Sequence, residues 1–185
     1  CEEKITEGSG RNPIRLRIAE KAPTVIGLYI TRDKIEAVLC TLGLEILNRK
    51  VMPFKTLKKE EVRQYSYHVI DQLLAETDLK VLGIGVAVMG PVDINNGIIL
   101  NPPHFFGIEN VNITQFLEER YGLPVVVDHD QNSAAQAEVH FGAGKNVQDF
   151  IFLGITKGIG SGFVSDGKVF HNNMGMASEL GHISI

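Results

Sequence analysis

Two cysteines, Cys1 and Cys40, are all that this chain of 185 residues contains. They are too few for a disulfide framework and do not form a CxxC metal knuckle, which favours a cytoplasmic setting. Long apolar runs are missing too. The longest candidate breaks soon after Met89, at Asp93 and Asn95, far short of a membrane span. No signal-peptide pattern opens the chain. There is no excess of positive charge: the formal net charge is −4, which argues against a wholly basic nucleic-acid-binding surface. What is present, 44% hydrophobic and 22% charged residues, is the balance of a globular chain and not of a disordered one. The length leaves room for one ordinary domain, or one domain and part of another.

Residues 1–22 differ from the rest. Gly8, Gly10 and Pro13 precede Ile14, Leu16 and Ile18, which alternate with Arg15 and Arg17. This reads as a turn followed by a short exposed strand, either a solvated linker or the stub of a basic β-wing. Three strand-like stretches follow, Thr24–Thr31, Lys34–Leu42 and Leu44–Met52, with joins short enough for an antiparallel meander. Lys58–Thr77 carries Val62, Tyr65, Val69, Ile70, Leu73 and Leu74 on one helical stripe. Val81–Met89 reads as a buried strand and Asp93–Asn110 as a loop. Asn112 is placed to cap a helix ending at Tyr121, before Gly122 and Pro124. Val125–Val127 reads as a strand and Gln131–Phe141 as a helix, giving the order βββαβαβα. A second series starts with strands Phe150–Thr156, Gly160–Ser165 and Lys168–His171, with Asp166-Gly167 as a hairpin turn. Helices to cover this second sheet do not follow, so the protein is expected to continue beyond Ile185.

Four stretches can carry chemistry. In "PVVVDHDQNSAAQAE" an apolar strand delivers Asp128, His129 and Asp130 to its own C-terminal tip. Asp130 stands one residue before the expected helix, where a carboxylate can cap backbone N–H groups. Strand tips of α/β sheets are also where ligands sit. There a carboxylate can hold a sugar hydroxyl or take its proton, the latter a role worth roughly 10²–10⁴ in rate. In "GITKGIGSGF", Gly158, Gly160 and Gly162 alternate, which suits either close approach of an anion to the backbone or a flat strand packed on another element. In "ASELGHISI", Glu179 and His182 share a face if helical and can aim at one polyhydroxyl ligand; a surface pair is the plainer reading. The loop "GPVDINNGIILNPPHF" offers Asn95, Asn96 and Asn101, residues that suit sugars and also any loop.

Taken in order, "GIGVAVMGPVD", "NGIILNPP", "LPVVVDHDQNSAAQAE", "ITKGIGSGFVSDGKVF" and "ASELGH" resemble the ROK family, which groups sugar kinases with sugar-responsive transcriptional repressors. The resemblance implies an actin-like, ribonuclease-H-like α/β fold. Residues 23–128 would form the first lobe and 129–185 the connecting helix and opening strands of the second. It also implies roles. Asp130 matches the kinase base, which also binds sugar. Glu179 and His182 match the sugar-binding Glu and His, and Asn101 matches more weakly. Gly158, Gly160 and Gly162 match a second phosphate loop, expected here to serve folding. His182 further matches a zinc ligand whose partner cysteines would lie beyond Ile185, so zinc is expected only in a full-length protein and no cofactor in this chain.

The first hairpin separates the two branches. ROK kinases carry an Asp-x-Gly-Gly-Thr phosphate loop there; this chain has Tyr29-Ile30-Thr31-Arg32-Asp33. Without glycine the backbone cannot approach a phosphate closely, and Asp33 repels one. His129-Asp130 and the lead containing Gly10-Arg11-Asn12-Pro13 look like the NagC/XylR-type repressor branch. The expectation is therefore a sugar or sugar-phosphate sensor and not an enzyme. Asp130, His129, Glu179, His182 and Asn101 would hold the effector. Operator DNA would be bound by a domain preceding residue 1, in a homodimer or homotetramer without membrane association. The alternative is an ATP-dependent hexose kinase.

Overall fold

Thr24–Ile30 (β3) alternates buried and less buried residues, and Ile26, Leu28 and Ile30 point into the core at 1% exposure or less. Such alternation is what a strand packed on one face requires. A computed structural model describes residues 3–4, 14–15, 17–19, 21–156, 158–171 and 180–183. β3 pairs antiparallel with β4 (Lys34–Thr41), and β4 pairs antiparallel with β5 (Ile46–Pro53), the expected meander. β6 (Val81–Val88) and β10 (Val125–His129) then add in parallel, giving the sheet order β10-β6-β3-β4-β5. Before them, Glu3–Lys4 (β1) pairs antiparallel with Ile14–Arg15 (β2). Leu16 and most of the basic lead lie outside the described residues.

Helix α1 (Lys59–Ala75) covers one face of the main sheet. Its stripe works as read: Val62, Val69, Ile70 and Leu73 are fully buried, each contributing about 1.5–3 kcal/mol of apolar transfer. Helix α2 (Ile113–Tyr121) begins at Asn112, whose Oδ1 accepts the Gln115 N–H at 2.9 Å. It ends at Gly122 in a left-handed conformation, φ 61°.

Three expectations need correction. The stretch 93–110 is not loop throughout. Val92–Asp93 (β7), Ile98–Ile99 (β8) and Val111–Asn112 (β9) form a small antiparallel sheet. Strand β10 also runs to His129, and helix α3 starts at Asp130 and ends at Phe141. Asp130 is therefore the first helical residue, and the cap position belongs to His129.

Phe150–Ile155 (β11), Ile159–Ser165 (β12) and Lys168–Val169 (β13) form an antiparallel second sheet, so the third strand stops two residues before His171. Phe150 and Phe152 pack towards α3 with Ala135, Val164 and Val169, while Ile151, Leu153 and Ile155 face solvent. Leu180–His182 form a single 3-10 turn.

Candidate functional site

The parallel pairing fixes where a site can form. Ile30 of β3 is level with Val88 of β6, and Val88 is level with His129 of β10. The turn Thr31–Asp33, the bend at Gly90-Pro91 and the first residue of α3 all leave the sheet at that level. In α/β sheets, ligands bind beyond the carboxyl ends of the strands.

His129 ties these exits together. The Gly90 N–H donates to Nε2 at 2.9 Å, so that nitrogen carries no proton. The other ring nitrogen, Nδ1, lies 3.0 Å from Asp130 Oδ1. The Gln131 N–H also approaches Nδ1, at 3.4 Å in the manner of a cap. A side chain at Gly90 would collide with this ring. His129 thus sits between Gly90 and Asp130, whose carboxylate meets the positive end of α3.

Asp128 is equally committed. Oδ1 accepts the His129 N–H at 2.7 Å and the Asn132 Nδ2–H at 3.2 Å, while Oδ2 lies 2.9 Å from His171 Nε2. This carboxylate therefore joins the main sheet to the segment leaving the second one.

The turn that replaces the phosphate loop is closed on itself. Thr31 Oγ1 accepts N–H bonds from Asp33 at 3.4 Å and Lys34 at 3.1 Å, and the Thr31 N–H reaches the Lys34 carbonyl at 3.0 Å. The Thr31, Asp33 and Lys34 amides are thus already bonded. Arg32 turns away and donates from Nε and Nη2 to the Pro103 carbonyl, at 3.3 and 3.1 Å.

Tyr29 belongs to this neighbourhood, a placement that its role as a replacement residue did not reveal. Cross-strand register lines up Glu36, Tyr29, Ala87 and Asp128 on one row, on the face away from α1. Burial, then the charges of Asp130, Asp33 and Glu36, push the Tyr29 phenol up from its ordinary pKa. Burial pushes the Glu36 carboxyl up, but hydrogen bonds and charge from Arg49 and Lys34 outweigh it and leave Glu36 below its ordinary value.

The remaining expected residues divide. Asn101 is exposed just beyond β8; its neighbour Leu100 donates its N–H to the Pro91 carbonyl at 3.0 Å, beside the Gly90–His129 bond. Asn101, His129 and Asp130 therefore stand around the same strand ends. Glu179 lies outside the described residues, as does the side chain of His182, the last residue of the 3-10 turn, in which Gly181 packs against Ile159. Among the described residues no three His, Cys, Asp or Glu form a group able to hold a metal. Gly160 and Gly162 are spaces for α3: a Cβ at Gly162 would meet the Gln131 carbonyl oxygen at 2.6 Å and Ala135 Cβ at 2.7 Å, and one at Gly160 the Gln131 Cγ at 2.7 Å. Gly158 faces open space.

A mixed sheet with a meander, a crossover helix, and a second sheet entered through a helix that starts at the strand tips defines the actin-like sugar-kinase fold class. The chain belongs to the ROK family, whose model matches residues 25–185. It is 28% identical over 180 residues to the xylose repressor of Caldicellulosiruptor bescii, covering 95% of this chain and 45% of that one. It superposes with a TM-score of 0.83 and 26% identity on a ROK family transcriptional regulator described as a homologue of the Escherichia coli MLC protein, over 94% of this chain and 44% of that one. It also superposes with a TM-score of 0.76 and 29% identity on a ROK family glucokinase of Streptomyces griseus in complex with glucose and AMPPNP, over 88% and 51%. The chain thus spans about half the length of these relatives. Among the described residues, no helix is long and apolar enough to cross a membrane.

Proposed function

We propose that this chain is the effector-sensing part of a sugar-responsive transcriptional repressor and not an enzyme. A sugar or sugar phosphate binds at the ends of β3, β6 and β10. Asp130, beside His129, accepts a hydroxyl; Asn101, Glu179 and His182 supply the other polar contacts. Operator DNA is bound by a domain preceding residue 1, in a homodimer or homotetramer. A zinc ion, if His182 holds one in the full-length protein, takes its other ligands from beyond Ile185. The sugar controls DNA binding by favouring one arrangement of the two sheets over another.

The observation that carries this reading is the β3–β4 turn. Phosphoryl transfer depends on positioning and charge stabilisation of the phosphates. Here the turn amides are bonded to Thr31 Oγ1 and Arg32 is directed to Pro103. The repressor relatives support the same branch. One feature favours the kinase as a second reading: Asp130 stands at the strand tips in a fold shared with a glucokinase.

A melting-temperature panel on the full-length protein separates the two. Hexoses, pentoses, amino sugars and their phosphates are tested with and without Mg-ATP. A ligand at ~100 times its dissociation constant adds about 2.7 kcal/mol, a readily measured shift. The repressor reading expects a shift with one sugar and none with Mg-ATP. A shift with both, accompanied by sugar-dependent ATP hydrolysis that Asp130→Asn abolishes, returns the kinase to first place.

A further inference from the structure

The proline pair after Asn101 has no backbone donor with which to anchor itself. Pro102 and Pro103 have no backbone N–H, so they offer only carbonyl acceptors. His104 and Phe106 both adopt left-handed backbones, φ 56° and 55°, on either side of Phe105. Non-glycine residues persist there only when their surroundings hold them. Phe105 is fully buried and anchors one end. The ring of Phe106, 44% exposed, leans edge-on against Phe54 at 6.2 Å. Pro102 is buried, and the exposed Pro103 is held from 71 positions away by the bifurcated contact from the Arg32 guanidinium to its carbonyl. A charged donor makes such a bond stronger than a neutral one.

We infer that Arg32 is a positioning residue for the effector: from the former phosphate turn it clasps the Asn101–Gly107 loop and holds Asn101 at the sugar site. The inference rests on the sugar-binding reading above. It gives the altered hairpin a task. One side chain of the turn reaches across the strand ends and fastens the loop facing it. Ligand affinity then depends on a residue that touches no ligand.

The test uses the full-length protein with Arg32→Ala and Arg32→Lys. The first readout is hydrogen exchange without ligand, at the loop amides of Ile108, bonded to the Phe105 carbonyl, and Asn110, bonded to the Leu100 carbonyl. Arg32→Ala should speed exchange at both by about tenfold, leave β3, β6 and β10 unchanged, and hardly move the melting temperature, since the bond is exposed. The second readout is calorimetric affinity for the sugar found in the melting panel. Arg32→Ala should weaken it by about three- to tenfold, with Arg32→Lys between, because an ammonium keeps the charge but not the planar fork. Unchanged loop exchange would overturn the clasp. Faster exchange with affinity within twofold of wild type would overturn its link to the effector. A wild type that binds no sugar would instead sink the functional reading. The exchange result would in that case still support the clasp if faster and overturn it if unchanged.

Discussion

The two ring nitrogens of His129 face groups from different elements, Gly90 beyond β6 and Asp130 at the start of α3. Removing the imidazole leaves the partly buried Gly90 N–H without its acceptor. His129→Ala should therefore lower unfolding stability by about 1–3 kcal/mol, seen as a lower urea midpoint at unchanged slope. Sugar affinity should fall with it. The glycines of β12 allow a sharper contrast. Gly162→Ala drives a methyl against the Gln131 carbonyl oxygen and Ala135 Cβ, neither at the end of a flexible side chain, and should cost about 1–3 kcal/mol. Gly158→Ala meets nothing and should change urea stability by less than about 0.5 kcal/mol. Equal effects at both positions would contradict the packing role. Only part of this was legible locally. Asp is a far commoner cap than His, so the sequence pointed to Asp130 as the cap and set the helix start one residue late. The glycines read equally well as an anion loop until Gln131 and Ala135 were found filling the space beside them.

At the scale of elements, α1 and α2 are joined by a polar clamp. Asp71 accepts from Arg120 Nη2 at 2.7 Å and from the Tyr121 hydroxyl at 2.8 Å, while the Arg120 guanidinium lies 4.4 Å from the centre of the Tyr67 ring. Burial, then the bond and charge of Asp71, hold the Tyr121 proton well above the ordinary phenol range. The unfolded chain releases that proton near pH 10, before the folded one does. Above that pH the unfolded state binds fewer protons, so the contribution is complete below about pH 10 and fades as pH rises. Urea midpoints between about pH 9 and 11 should fall, and Tyr121→Phe should flatten the decline. The elements themselves were largely readable. The stripe of α1, the Asn112 cap and the meander follow from short-range periodicity and turn chemistry. The sheet β7-β8-β9 does not, because its strands are two residues long and β8 pairs with β9 across the intervening loop. The Arg32–Pro103 contact is equally invisible to local pattern.

At the scale of the whole molecule, the two sheets differ in how they are covered. The core under α1 and α2 is continuous. On β11, by contrast, Ile151, Leu153 and Ile155 are 51%, 54% and 74% exposed, on the face away from α3. An apolar strip of this kind promotes association. The 185-residue chain expressed alone should bind an apolar dye and scatter light on concentration. Leu153→Lys with Ile155→Lys should reduce both; unchanged dye binding would place the sticky surface elsewhere. The expectation of an uncovered second sheet came from counting elements along the chain, a quantity the sequence states openly. How the sheets are linked was hidden, since the Asp128–His171 bond spans 43 residues. That bond has a mechanical consequence. Asp128, which carries it, is two positions from Asp130, so the tie between the sheets and the residue proposed to hold the sugar are nearly one point. A ligand seated at a fulcrum need move very little. On the proposed reading each sheet would act as a lever arm, and a small tilt at the strand tips would grow into a large sweep at the outer edges.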